Sequence, residues 1–164
     1  MQALKVTSMK SFMNHLLVGT AFDNFLLAEG TISTANTYTI DGHINKEFYN
    51  GDDTISLPYD FATWAEMKGL CFNLIKGKRT PLYFKFVLHF KPELVSKLLA
   101  AGGCSIPAEQ VKALVLTIKY DGGSAVLTTG TAFHTFVMNK EPDTIWDKAI
   151  TQFLAKEGIE FELL

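Results

Sequence analysis

A histidine set between carboxylates is the arrangement in this sequence with the clearest chemical meaning. In TIDGHINKE, His43 follows Asp41 and precedes Glu47. An imidazole beside a carboxylate can take and return a proton near neutral pH, so these three residues are candidates for acid–base work in a small hydrolase or transferase. That chemistry also needs a nucleophile or an oriented substrate. None of the patterns that supply one is present: there is no G-x-S-x-G, no H-E-x-x-H and no C-x-x-C. No residue is therefore assigned as catalytic, and Asp41, His43 and Glu47 stand as candidate binding residues, with a hairpin cap as the simpler role for His43.

The second chemical feature is the basic run IKGKR, which holds Lys76, Lys78 and Arg79. Such a cluster can hold a phosphate or a nucleic-acid backbone. It lacks the G-x-x-x-x-G-K-[ST] pattern and follows a helical segment instead of opening one, so it is not a phosphate loop. Cations in the last turn of a helix also complement the helix dipole, which is the plainer reading. His15, His43, His89 and His134 are scattered without the close pairing that metal ligation needs, so no metal site is expected. NGDDT lacks the twelve-residue calcium pattern, and the glycines of AAGGCS end a helix instead of cradling a dinucleotide. No cofactor is expected.

These residues need a scaffold. ALKV (3–6) reads as a strand, followed by a helix that starts near Ser8, carries Phe12, Met13, Leu16 and Leu17, and closes at Gly19. Residues 25–34 and 36–40 read as strands, with Gly30 weakening the first or marking a bulge. Asp41-Gly42 reads as a hairpin turn into a returning strand over 43–49. Asp60 is placed as the cap of a helix that carries Phe61, Trp64, Met67, Cys71, Leu74 and Ile75.

In LYFKFVLHF (82–90), Leu82, Phe84, Phe86, Leu88 and Phe90 alternate and face one way. Pro92 opens a helix through Leu94, Val95, Leu98 and Leu99 that stops at Gly102-Gly103. Residues 111–120 and 124–137 form a second hairpin around Asp121-Gly122-Gly123. Asp143 is placed as the cap of the last helix, and 159–163 as a final strand.

The pattern looks like one unit used twice. Phe12, Met13, Leu16 and Leu17 recur as Leu94, Val95, Leu98 and Leu99, and the only two tryptophans, Trp64 and Trp146, lie 82 residues apart in a chain of 164. The expected architecture is an α+β fold: two similar strand–helix–strand–strand halves (1–82 and 83–164) in one domain, building a mainly antiparallel sheet covered by helices. Composition agrees with a folded domain, being 48% hydrophobic with 13 Phe. The formal charge of −2 supplies no global field for holding nucleic acid or an anionic membrane.

Cys71 falls in an apolar helical pattern and Cys104 in a loop, which is no disulfide framework. Lys10, Asn14 and His15 interrupt what would be the apolar part of a signal peptide, and no run reaches a membrane span. A soluble cytoplasmic protein with no membrane association is expected.

Two resemblances add to this reading. The run FLLAEGTISTANTYTIDGHINKEFY, with FNLIKGKRTPLYFKF downstream, resembles a small bacterial family known only as a domain of unknown function. Repeated strand–helix–strand–strand units with helices on one face also resemble the sliding DNA clamps, whose helices line a positive ring. That likeness implies DNA-facing roles for Lys10, His15, Lys91 and Lys97, although Glu93 leaves the charge modest.

Three functions follow as expectations. The first is a non-catalytic binding or assembly protein, with homo-oligomers formed through exposed strand edges such as IEFEL. The second is a DNA-associated clamp-like protein, and the third an enzyme using His43.

Overall fold

A computed structural model describes residues 1–164. The strands are β1 (Ala3–Val6), β2 (Phe25–Ser33), β3 (Thr37–Asp41), β4 (Ala62–Thr63), β5 (Tyr83–Phe90), β6 (Val111–Tyr120), β7 (Ala125–Phe133) and β8 (Phe161–Leu163). The helices are α1 (Met9–Leu17), α2 (Trp64–Ile75), α3 (Pro92–Ala101) and α4 (Glu141–Lys156). The strands form one antiparallel sheet in the order β3-β2-β5-β6-β7-β1-β8, with β4 pairing β2 beyond the end of β3. This is the α+β architecture expected, a mainly antiparallel sheet with helices packed on it.

Alternation in the central strands explains why the helices lie on one face only. In β5, Phe84, Phe86 and Leu88 are fully buried, whereas Tyr83, Lys85, Val87 and His89 are half-buried. In β6, Leu116 and Ile118 are buried and Thr117 and Lys119 are not. The buried set joins Phe12 and Leu16 of α1, Trp64 and Cys71 of α2, Val95 of α3, and Trp146, Ile150 and Leu154 of α4 in a single apolar cluster. The other set looks away from the helices, because successive side chains of a strand point to opposite faces. One face of the sheet is thus core and the other is open.

Cys71 is buried in that core, and burial pushes its thiol pKa up to about 12, as for a small hydrophobe and not a nucleophile. In α2, a Cβ on Gly69 would meet nothing within 4 Å. Gly69→Ala is therefore expected to raise stability by about 0.5–1 kcal/mol, read as a higher urea midpoint with unchanged slope.

Both tryptophans are buried, and each indole N–H donates to a backbone carbonyl: Trp64 to Leu16 at 2.8 Å and Trp146 to Val115 at 2.9 Å. Each half opens strand–helix–strand–strand, but the first inserts β4 before its second helix, the second ends on β8, and the two are threaded differently. β5 pairs with β2 and β6, while β1 pairs with β7 and β8.

Several local expectations are corrected. Asp41-Gly42 is not a hairpin turn and 43–49 is not a strand. β3 returns from β2 through Thr34–Asn36, and residues 46–49 form a 3-10 turn. After β3 the chain makes an excursion whose two ends meet. Ile44 N–H donates to Asp60 O at 2.9 Å, Ala62 N–H to Gly42 O at 2.9 Å, and His43 bridges Phe61.

Asp60 pairs with Lys46 at 3.1 Å and caps nothing. Thr63 caps α2 instead, in a reciprocal box with Glu66. Asp143 lies inside the first turn of α4, which begins at Glu141. Leu82 is 68% exposed, outside β5, and β7 stops at Phe133. The bulge in β2 falls between Leu27 and Glu29, before Gly30.

Candidate functional site

The open face is a surface whose residues the strand register dictates. On β5, Lys85 stands opposite Thr31 of β2 and Lys119 of β6; Val87 stands opposite Glu29 and Thr117. On the outer side of β2, Thr31 faces Thr39 and Glu29 faces Asp41. The sheet therefore sets lysine against lysine in one row and carboxylate against carboxylate in the next. Directly opposed like charges repel and destabilise a sheet. Lys85, Lys119 and Glu29 all lack an opposite charge within ion-pairing reach. Lys119 instead holds its ammonium 5.9 Å from the centre of the Tyr83 ring.

A depression of about 610 Å³ opens on this face. Its walls include Glu29, Thr31, Thr39, Asp41, His43, Phe61, Lys85 and His89. The meeting of the excursion's ends builds one wall. Phe61 lies between two imidazoles, with ring centres 4.5 Å from His43 and 5.0 Å from His89. Asp41 Oδ1 accepts the backbone N–H of His43 at 2.9 Å and lies 3.8 Å from its Nδ1. The carboxylate thus holds the backbone of the following turn and can pair with a protonated ring.

His89 is pushed below its ordinary pKa of 6.5 by burial first and by Lys112 second, with Glu29 opposing. A histidine whose folded pKa is depressed stabilises the fold fully above the unfolded value, and that contribution is lost as pH falls through the folded value. Stability is therefore expected to decline as pH drops below about 6.5, with a shallower decline for His89→Gln than for the wild type. Urea midpoints across that window check it; parallel profiles for the two proteins would assign the dependence to other groups.

The structure brings Asp41 and His43 together here but leaves Glu47 outside, exposed on the 3-10 turn. Glu29, Phe61, Lys85 and His89 were not anticipated as site residues. The signal for three of them lay in the off-phase positions of the alternating strands FLLAEGTIS and YFKFVLHF. The depression has no serine or cysteine on its walls, and no trio of His, Cys, Asp or Glu converges on a point that an ion could occupy.

The basic residues lie on the helix side. Lys76, Lys78 and Arg79 are exposed after α2, and Lys76 shares a groove with Lys10. His15 bonds the Ser11 carbonyl of its own helix at 2.8 Å, Lys91 sits 5.8 Å from the centre of the Tyr59 ring, and Lys97 is exposed. The four helices together carry five lysines and five carboxylates, so the layer that would face DNA in a clamp is electrically neutral. No helix is long and apolar enough to cross a membrane.

One protein-family model matches residues 15–162, and that family is one of unknown function (DUF5721). No curated protein and no solved structure matches the chain.

Proposed function

The chain belongs to that family of unknown function, and we propose that it is a non-catalytic binding protein whose ligand seats on the open sheet face. The observation that carries this reading is the pair of opposed like charges, Lys85 against Lys119 and Glu29 against Asp41. Lys85, Lys119 and Glu29 have no ion-pair partner in the chain, Asp41 has only the His43 ring at 3.8 Å, and all but Lys119 line the depression. A surface selected for stability alone would alternate the signs. A ligand carrying both an anionic and a cationic group relieves both rows at once, the anion on Lys85 and the cation between Glu29 and Asp41. Phe61 and the two histidines supply an apolar and hydrogen-bonding wall.

Free amino acids are the simplest zwitterionic probes. Titration of the protein with them, followed by amide chemical shifts, is expected to move signals of Glu29, Asp41 and Lys85 saturably. Glu29→Gln and Lys85→Gln are expected to remove the response. A panel that leaves these signals unmoved at low salt would overturn the zwitterion reading.

A stability measurement tests the charge pattern itself. Lys119→Glu turns the repulsive pair into an attractive one and is expected to stabilise the protein by about 0.2–1 kcal/mol at low ionic strength, fading as salt screens the pair. A urea midpoint unchanged at low salt would mean that the two ammonium groups do not feel each other.

A further inference from the structure

On the opposite side of the molecule, α1 and α2 form a groove with a different character. The helices are tied together where the Trp64 indole N–H meets Leu16 O, and where Lys68 Nζ meets Gly19 O and Asp23 Oδ1, both at 2.8 Å. Away from those ties lies a recess of about 630 Å³, with Met13, Leu17, Phe72 and Ile75 on its walls and the exposed Val18 at its edge. No carboxylate lines it; its charged members are Lys10 and Lys76. The Lys76 ammonium stands 5.8 Å from the centre of the Phe72 ring, over apolar surface.

Lys78 and Arg79 follow on the exposed loop. Thr80 and Pro81, which end that loop, share a second recess with Lys10, so the basic loop runs past the start of α1. None of Lys10, Lys76, Lys78 and Arg79 is ion-paired.

An apolar floor with Lys10 and Lys76 on its walls, and Lys78 and Arg79 on the loop that leaves it, in a chain whose net charge is −2, is selective by sign. We infer that this groove docks an acidic amphipathic segment of a partner protein, its apolar side chains in the recess and its carboxylates on Lys10, Lys76, Lys78 and Arg79. The recessed floor distinguishes this occupant from a lipid surface. Leu17 and Ile75 are only 5% and 7% exposed, which a row of projecting side chains can reach and a plane of headgroups cannot. Helix-in-groove recognition has this form, with anchors at i, i+3, i+4 and i+7. It accounts for the basic run and for Lys10 without requiring DNA.

The probe is a fluorescein-labelled peptide of about four helical turns, with leucines at those anchor positions and glutamates elsewhere. Its anisotropy is expected to rise saturably with the wild-type protein at low salt. Affinity is expected to fall about tenfold or more with the double variant Lys10→Glu/Lys76→Glu, and again as salt is raised. Val18→Asn, at a position 59% exposed and without a change of charge, is expected to weaken binding through loss of the apolar contact. A peptide with lysines in place of the glutamates is expected not to bind.

Three results would overturn the inference: no binding of the acidic peptide, equal binding of the basic one, or undiminished binding to the double variant. Co-sedimentation with phosphatidylserine vesicles, abolished by the same double variant while the peptide fails to bind, would assign the groove to membranes instead.

Discussion

Trp146→Ala is expected to lower stability by about 3–5 kcal/mol, among the largest losses any single truncation here can produce. The indole is 1% exposed, with ring centres 6.2 Å from Phe25 and 5.0 Å from Phe90, so it joins α4 to β2 and β5. Its N–H reaches across to Val115 O on β6 at 2.9 Å. Removing it opens a cavity at a point where one helix and three strands meet, and collapse into that cavity would require all of them to move. Trp146→Phe keeps much of the ring contact and loses the donor, so it separates packing from hydrogen bonding and should cost clearly less. Urea denaturation followed by far-ultraviolet circular dichroism gives both values. A loss below about 1 kcal/mol for the alanine variant would show that α4 does not anchor the sheet.

Gly42→Ala is expected to cost about 3 kcal/mol or more, or to prevent accumulation of folded protein altogether. The requirement is not a left-handed backbone, since Gly42 is not among the glycines with positive φ. It is proximity: a Cβ at this position would lie 1.7 Å from Leu27 O and 2.7 Å from its carbonyl carbon. Those are backbone atoms at the β2 bulge, and no side-chain rotation relieves the clash. Gly42 also donates to Ala28 O and accepts from Ala62 N, each at 2.9 Å, so moving it breaks the junction of β2, β3 and β4. Amide exchange should show protection lost first around residues 26–33 and 61–63. A variant as stable as the wild type would mean that the bulge relaxes freely; the contrast with the gain expected at Gly69 is the internal control.

Gly42 also marks where the sequence misleads. Asp-Gly between two short β-prone runs is a strong hairpin signal, and here both residues serve other ends. Asp41 holds the His43 backbone, and Gly42 lets two chains touch. The true β2–β3 turn, Thr34-Ala35-Asn36, carries a weaker local signal. The helix cap at Thr63 with Glu66 is written in the sequence as T-x-x-E; Asp60 precedes Phe61, an apolar residue that continues the helical period but lies outside α2.

By contrast, β5, β6 and α1 were legible because a sheet covered on one face enforces strict alternation, and a helix lying on it enforces its own period. The candidate site was only half legible. Asp41 and His43 are neighbours in sequence, whereas Glu29, Lys85 and Lys119 come from three strands whose register no local pattern specifies. The same holds for the groove, where Lys10 and Lys76 meet only once α1 and α2 have packed.

The position of β1 sets the order in which the molecule can assemble. It is wedged between β7 and β8, with Lys5 opposite both Val126 and Glu162. β6 and β7 close through a tight turn and β5 joins β6 through the connection that carries α3, whereas β1 stays unpaired until the β7 edge has been made. Distant pairings of this kind carry a large loop-closure entropy and slow the final step. β1 is therefore the strand that stays open longest, because both of its neighbours are made last.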